Sequence, residues 1–164
     1  MMTNTLIKAI KEAQKQRYYD VLITKTETGY MLATLCFMYT GVFDVALIRR
    51  TFGIFECDIC YNSKTGEAKG AITTEKSLKL LNDAKVNFGG GVLITKTPWQ
   101  YDGFRVLKNT DNECIYVDSV FAELFAPGVP IEQFGGTRFS PLYNGIAVVS
   151  PLRMDNAPRK FIAE

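Results

Sequence analysis

The sequence predicts an α+β fold in which an antiparallel sheet is built from repeated helix-plus-hairpin units. Three observations predict it. Residues 3–17 place Leu6, Ile7, Ile10 and Ala13 on one side at helical spacing, with Lys8, Lys11 and Lys15 on the other. The hexapeptide Val21-Leu22-Ile23-Thr24-Lys25-Thr26 recurs unchanged as Val92-Leu93-Ile94-Thr95-Lys96-Thr97. Residues 113–154 read as a strand, a short helix and turn-separated strands, the last stopping at a proline.

In chain order, Thr3, Asn4 or Thr5 offers a cap for the first helix. Residues 18–26 form a strand rich in Val, Ile and Thr, Glu27-Thr28-Gly29 a turn, and 30–39 a second strand. A short helix over 45–52 and an alternating strand over 54–61 follow, then a turn at Asn62-Ser63-Lys64-Thr65-Gly66. Thr73-Thr74 caps a helix running to about Lys85, with Leu78 and Leu81 as its core contacts. Gly89-Gly90-Gly91 leads into the second hexapeptide. Cys114 to Val117 is a brief strand, and Asp118 caps a helix over 119–125 that Pro127-Gly128 ends. Short apolar pieces at 129–131 and 139–143 precede the closing strand Ile146-Ala147-Val148-Val149.

Both hexapeptides follow a helix and precede a turn ending Gly-aromatic, Gly29-Tyr30 and Gly103-Phe104. At average residue frequencies a chance identity of six is roughly one in a thousand, so the pattern reads as an internal repeat. A third pass starts at Asp118. The expected organisation is a single domain, 1–164, with units at about 3–61, 68–110 and 113–154 and a C-terminal tail at 155–164. Whether two or three units repeat stays open.

The order of the last third resembles the final unit of the bacterial DNA sliding clamp, the ring that tethers replicative polymerase to DNA. In that family a short helix is followed by three strands, the last apolar and ending Met-Pro-(Met/Leu/Val)-Arg-Leu. Here Ile146 to Val149 stand for that strand, and Ser150-Pro151-Leu152-Arg153-Met154 for its ending. Ser150 replaces the usual methionine, and ten residues follow Met154. The chain is also similar to short clamp-related proteins of phages and mobile elements. The resemblance implies a non-catalytic protein acting in DNA replication or binding a replication partner. Double-stranded DNA, a replication protein and further copies of the chain are its implied partners. Lysines on clamp helices meet phosphates without reading bases, which would make Lys8, Lys11, Lys15, Lys76 and Lys79 DNA-facing. It also places Pro151, Leu152, Arg153 and Met154 beside an apolar pocket that captures partner peptides. The competing readings are a plain solvated helix face for the lysines and the end of an edge strand for residues 151–154.

Composition narrows the classes. The 164 residues are 47% hydrophobic and 22% charged, the composition of a folded chain. A net charge of +2 gives no general pull toward nucleic acid, so DNA contact would depend on where the charges sit. Histidine is absent. That removes Ser-His and Cys-His nucleophile pairs and most catalytic zinc sites, so no catalytic residue, metal ligand or cofactor is expected. Cys57-Asp58-Ile59-Cys60 is a lone CxxC, and on a strand the two sulfurs would face opposite ways. The four cysteines, with no signal segment ahead of them, fit reduced thiols in a cytoplasmic protein. The uncharged run over 29–43 is too short for a membrane span. Trp99, in Pro98-Trp99-Gln100-Tyr101-Asp102, is either a recognition aromatic or a packing residue. Two rival functions remain: a phage-type interaction or inhibitor protein that does not touch DNA, and a small carboxylate- or thiol-dependent enzyme.

Overall fold

A computed structural model describes residues 2–71, 92–133, 137–154 and 156–162. They carry eleven strands and three helices, and every strand pairing within each unit is antiparallel. The chain divides into two compact units, 1–82 and 83–164. That boundary falls inside the second of the three units expected from the sequence. The expected helix over 73–85 and the triple glycine lie outside the described residues.

In the first unit, α1 (Thr3–Lys15) buries Leu6, Ala9, Ile10 and Ala13. Complete burial of a Leu or Ile side chain stabilises by about 1.5–3 kcal/mol, so this stripe anchors the helix. Its start departs from expectation. Met2 holds the cap position without a side-chain bond, because the Thr3 hydroxyl accepts instead from the Asp44 backbone N–H at 2.9 Å. Asp44 in turn caps α2 (Val45–Phe52), accepting from the Leu47 N–H at 3.1 Å. Gly53 closes α2 in the left-handed region, φ 69°.

The strands of this unit are β1 (Asp20–Lys25), β2 (Tyr30–Thr34), β3 (Phe37–Tyr39), β4 (Ile59–Asn62) and β5 (Ala68–Ala71). Their order across the sheet is β5-β4-β1-β2-β3. The single strand expected over 30–39 is two, because the Thr34 hydroxyl accepts from both the Cys36 and Phe37 N–H groups at 3.1 Å and folds a tight turn. The strand expected over 54–61 is shorter, Ile59–Asn62. Its front half is drawn off by Arg49, which donates to the carbonyls of Ile54 (3.1 Å) and Phe55, and Asp58 takes a positive φ of 66°.

The second unit holds β6 (Val92–Tyr101), β7 (Phe104–Lys108), β8 (Cys114–Asp118), α3 (Ser119–Ala122), β9 (Ile131–Gln133), β10 (Leu142–Tyr143) and β11 (Ala147–Val149). Its order is β11-β10-β9-β6-β7-β8. Asp118 caps α3 as the sequence predicts, its carboxylate accepting from the Val120 N–H at 2.9 Å. The helix is shorter than expected; beyond Ala122 the chain continues with bonds to the third residue back as far as Phe125. Asp102 and Gly103, both at positive φ, form the two-residue turn between β6 and β7. Pro98 sits where the β6–β7 register shifts, a bulge that spares it from donating to the ladder. There the buried Thr97 hydroxyl donates to the Val106 carbonyl at 2.6 Å and accepts from the Trp99 N–H at 3.2 Å.

The two units thus follow one plan. A three-strand meander comes first, then a short helix, and the strand after the helix pairs with the first strand of the meander. The second hexapeptide lies wholly in that first strand, β6, and the first lies in β1 but for its last residue, Thr26.

Candidate functional site

Lys8, Lys11 and Lys15 are all exposed and fall within roughly 60° of one another around α1. They lie opposite the buried stripe. Among the described residues Lys15 pairs with Glu12, at 3.7 Å, a surface pair of little energetic weight. Among the described residues the face is cationic and its three lysines are exposed. Lys76 and Lys79 lie outside the described residues.

Residues 151–154 are parted by the fold. Leu152 and Met154 pack against Val106, Cys114 and Tyr116, as do Phe104 and, from the C-terminal tail, Ala157 and Phe161. Arg153 is exposed and turns the other way, its guanidinium 4.5 Å from the Phe139 ring centroid. Pro151 is half-buried.

The tail is part of the second unit's sheet. It lies along the outer edge of β8: Leu152 donates its N–H to the Tyr116 carbonyl at 2.8 Å, and Cys114 donates to Arg159 at 2.7 Å. Phe161 donates to Asn112 at 2.6 Å. The Tyr116 hydroxyl donates to the Pro158 carbonyl at 2.5 Å. Burial is the main cause that pushes the Tyr116 phenol up to about 12, with Cys114 beside it adding to the shift. Arg159 meets Glu113 at 3.2 Å. Asn109 first, and then Arg159, hold the Glu113 carboxyl below its ordinary value.

Beside this edge lies a cleft of about 490 Å³, whose lining includes Asp111, Glu113, Arg138, Phe139, Arg153 and Arg159. Arg138 reaches the Phe139 ring as Arg153 does, at 4.7 Å. The sequence reading missed this cleft. Its residues are scattered between Val92 and Arg159, and only register and tail docking assemble them.

Cys57 is half-buried and Cys60 buried, both as free thiols. Burial, then Asp20, push the Cys60 thiol up, which disfavours the thiolate that redox or metal chemistry requires. Among the described residues no group of three or more Cys, Asp or Glu side chains is placed to hold a metal. No helix is long and apolar enough to cross a membrane among those residues. Trp99 is half-exposed on β6 ahead of the hairpin turn, with Tyr101 near it against the Tyr116 ring at 5.6 Å.

No protein-family model, curated protein or solved structure matches this chain.

Proposed function

We propose that the chain is a non-catalytic, clamp-like protein of phage or mobile-element type that works in DNA replication, holding duplex DNA or a replication partner. The observation that carries the reading is the shared plan of the two units, with identical hexapeptides at corresponding strands. Duplicated modules of this kind are what a clamp domain is made of. The order β8-α3-β9-β10-β11 also follows the strand, short helix and three strands of a clamp's final unit. The open cationic face of α1 supports contact with phosphate, which needs charge at the right spacing and no base recognition.

One such chain cannot surround a duplex, so tethering requires several copies. Among the described residues β5 pairs only with β4, which leaves it as an edge for strand addition.

Solution mass, measured with binding of a duplex oligonucleotide at two salt concentrations, tests this reading. A tether is an oligomer whose DNA affinity falls steeply with salt, and Lys8→Gln/Lys11→Gln/Lys15→Gln should weaken binding roughly tenfold or more. A monomer that ignores DNA would instead establish an interaction protein acting through its surface.

A further inference from the structure

The cleft beside Phe139 holds two guanidiniums that have no anionic partner among the described residues. Arg138 and Arg153 each sit within 4.7 Å of the same ring centroid. The ion pairs formed among the described residues are Lys15–Glu12, Lys69–Asp20 and Arg159–Glu113, so neither guanidinium meets a carboxylate there. Contact with the ring fixes the planar groups while leaving N–H edges free to donate. Two like charges gathered on one aromatic ring form an arrangement that a multivalent anion completes. Arg159 adds a third positive charge to the lining. Of the two carboxylates among the described residues of the lining, Glu113 is already engaged by Arg159 and Asn109, leaving Asp111 as the opposing charge.

Phosphate suits this site better than carboxylate. A carboxylate's two oxygens are satisfied by a single guanidinium fork, whereas a phosphate monoester carries close to two charges and three acceptor oxygens, enough for two forks. A volume of about 490 Å³ falls in the range of small-molecule sites. We infer that this cleft binds a phosphate monoester carried on a nucleotide-sized group, either a free nucleotide or the 5′-phosphorylated end of a nucleic-acid strand. The inference does not rest on the clamp-like reading, since it uses other residues in the other unit.

Calorimetric titration of the full chain tests it, with adenosine monophosphate and with one single-stranded oligonucleotide in two forms, with and without a 5′-phosphate. Binding of the free nucleotide identifies that source; binding of the 5′-phosphorylated oligonucleotide alone identifies the strand end. In either case Arg138→Gln/Arg153→Gln should weaken affinity roughly tenfold or more. Circular dichroism and melting should stay unchanged, since Arg153 is exposed and Arg138 only half-buried. Arg138→Lys/Arg153→Lys should restore only part of the affinity, because an ammonium lacks the fork. The α1 variant Lys8→Gln/Lys11→Gln/Lys15→Gln should bind the free nucleotide like the parent and keep the gain in oligonucleotide affinity that the 5′-phosphate confers, which separates failure here from failure of the clamp-like reading. The inference is overturned if no probe binds, if the oligonucleotide binds equally without its 5′-phosphate while the nucleotide does not bind, or if the Arg138→Gln/Arg153→Gln protein binds as tightly as the parent.

Discussion

The same six residues live in two different environments in this molecule. In β1, Val21 and Leu22 are 1% and 4% exposed; in β6, their counterparts Val92 and Leu93 are 39% and 51% exposed. Ile23 and Ile94 are buried in both strands, while Thr24 is buried and Thr95 exposed. Because neighbouring strand residues face opposite ways, the continuous burial of Val21 to Thr24 means that β1 is covered on both faces. β6 is buried at Ile94 and Thr97 and open elsewhere. Both copies of the hexapeptide thus occupy the first strand of a meander, whereas their surroundings decide how much each side chain contributes. Thr24 shows the difference in chemistry: its hydroxyl donates to the Asp58 carboxylate at 2.5 Å.

Matched truncations sharpen this contrast most. Leu22→Ala should cost about 2–4 kcal/mol, since it empties a packed site, whereas Leu93→Ala should cost less than about 1 kcal/mol. Urea unfolding of both variants checks it, and equal losses would show that the two strands are equally buried in solution.

The outer edges differ as well. β5 has no second partner among the described residues, while β8 is covered by the chain's own tail. Deleting residues 156–164 should uncover the β8 edge and the apolar surface of Phe104, Val106 and Tyr116. The expected result is lower stability, by about 2 kcal/mol from the lost Phe161 burial and main-chain bonds, together with concentration-dependent association. Analytical ultracentrifugation reads the second effect, and an unchanged monomer would show that the tail does not guard this edge.

The smallest effect comes from Tyr116. Its folded-state phenol titrates near 12 against an ordinary 10, so the folded state keeps its proton longer than the unfolded chain. Stability from this group is whole below about pH 10 and is lost as pH rises toward 12. Tyr39 and Tyr143, raised by burial, act in the same direction. Tyr116→Phe should cost about 1 kcal/mol at neutral pH through loss of the bond to Pro158. It should also shallow the alkaline decline in melting temperature, and an identical decline would rule Tyr116 out as its source.

Much of the fold was legible in local signals. The 3.6-residue pattern marked α1, Asp118 marked the start of α3, and the turn ending Gly103-Phe104 marked a hairpin. The bounds of α2 were met at both ends. What escaped depends on contacts distant in sequence or on single hydroxyls. Thr3 gave up capping α1 to hold Asp44, and Thr34 folded one expected strand into two. The tail read as an appendage because nothing local marks Cys114 as the partner of Arg159. Of the expected site residues, the α1 lysines do share one face, but Leu152 and Met154 turn inward while Arg153 joins Arg138 on Phe139. No periodicity could reveal that pairing.

The clamp-like account turns most directly on how duplex binding responds to salt. Fluorescence anisotropy of a labelled duplex should give an affinity that falls linearly on logarithmic axes, with a slope of about −0.9 for each phosphate neutralised. Lys8→Gln/Lys11→Gln/Lys15→Gln should flatten that slope. An affinity that is absent, or indifferent to both salt and those three lysines, would contradict it.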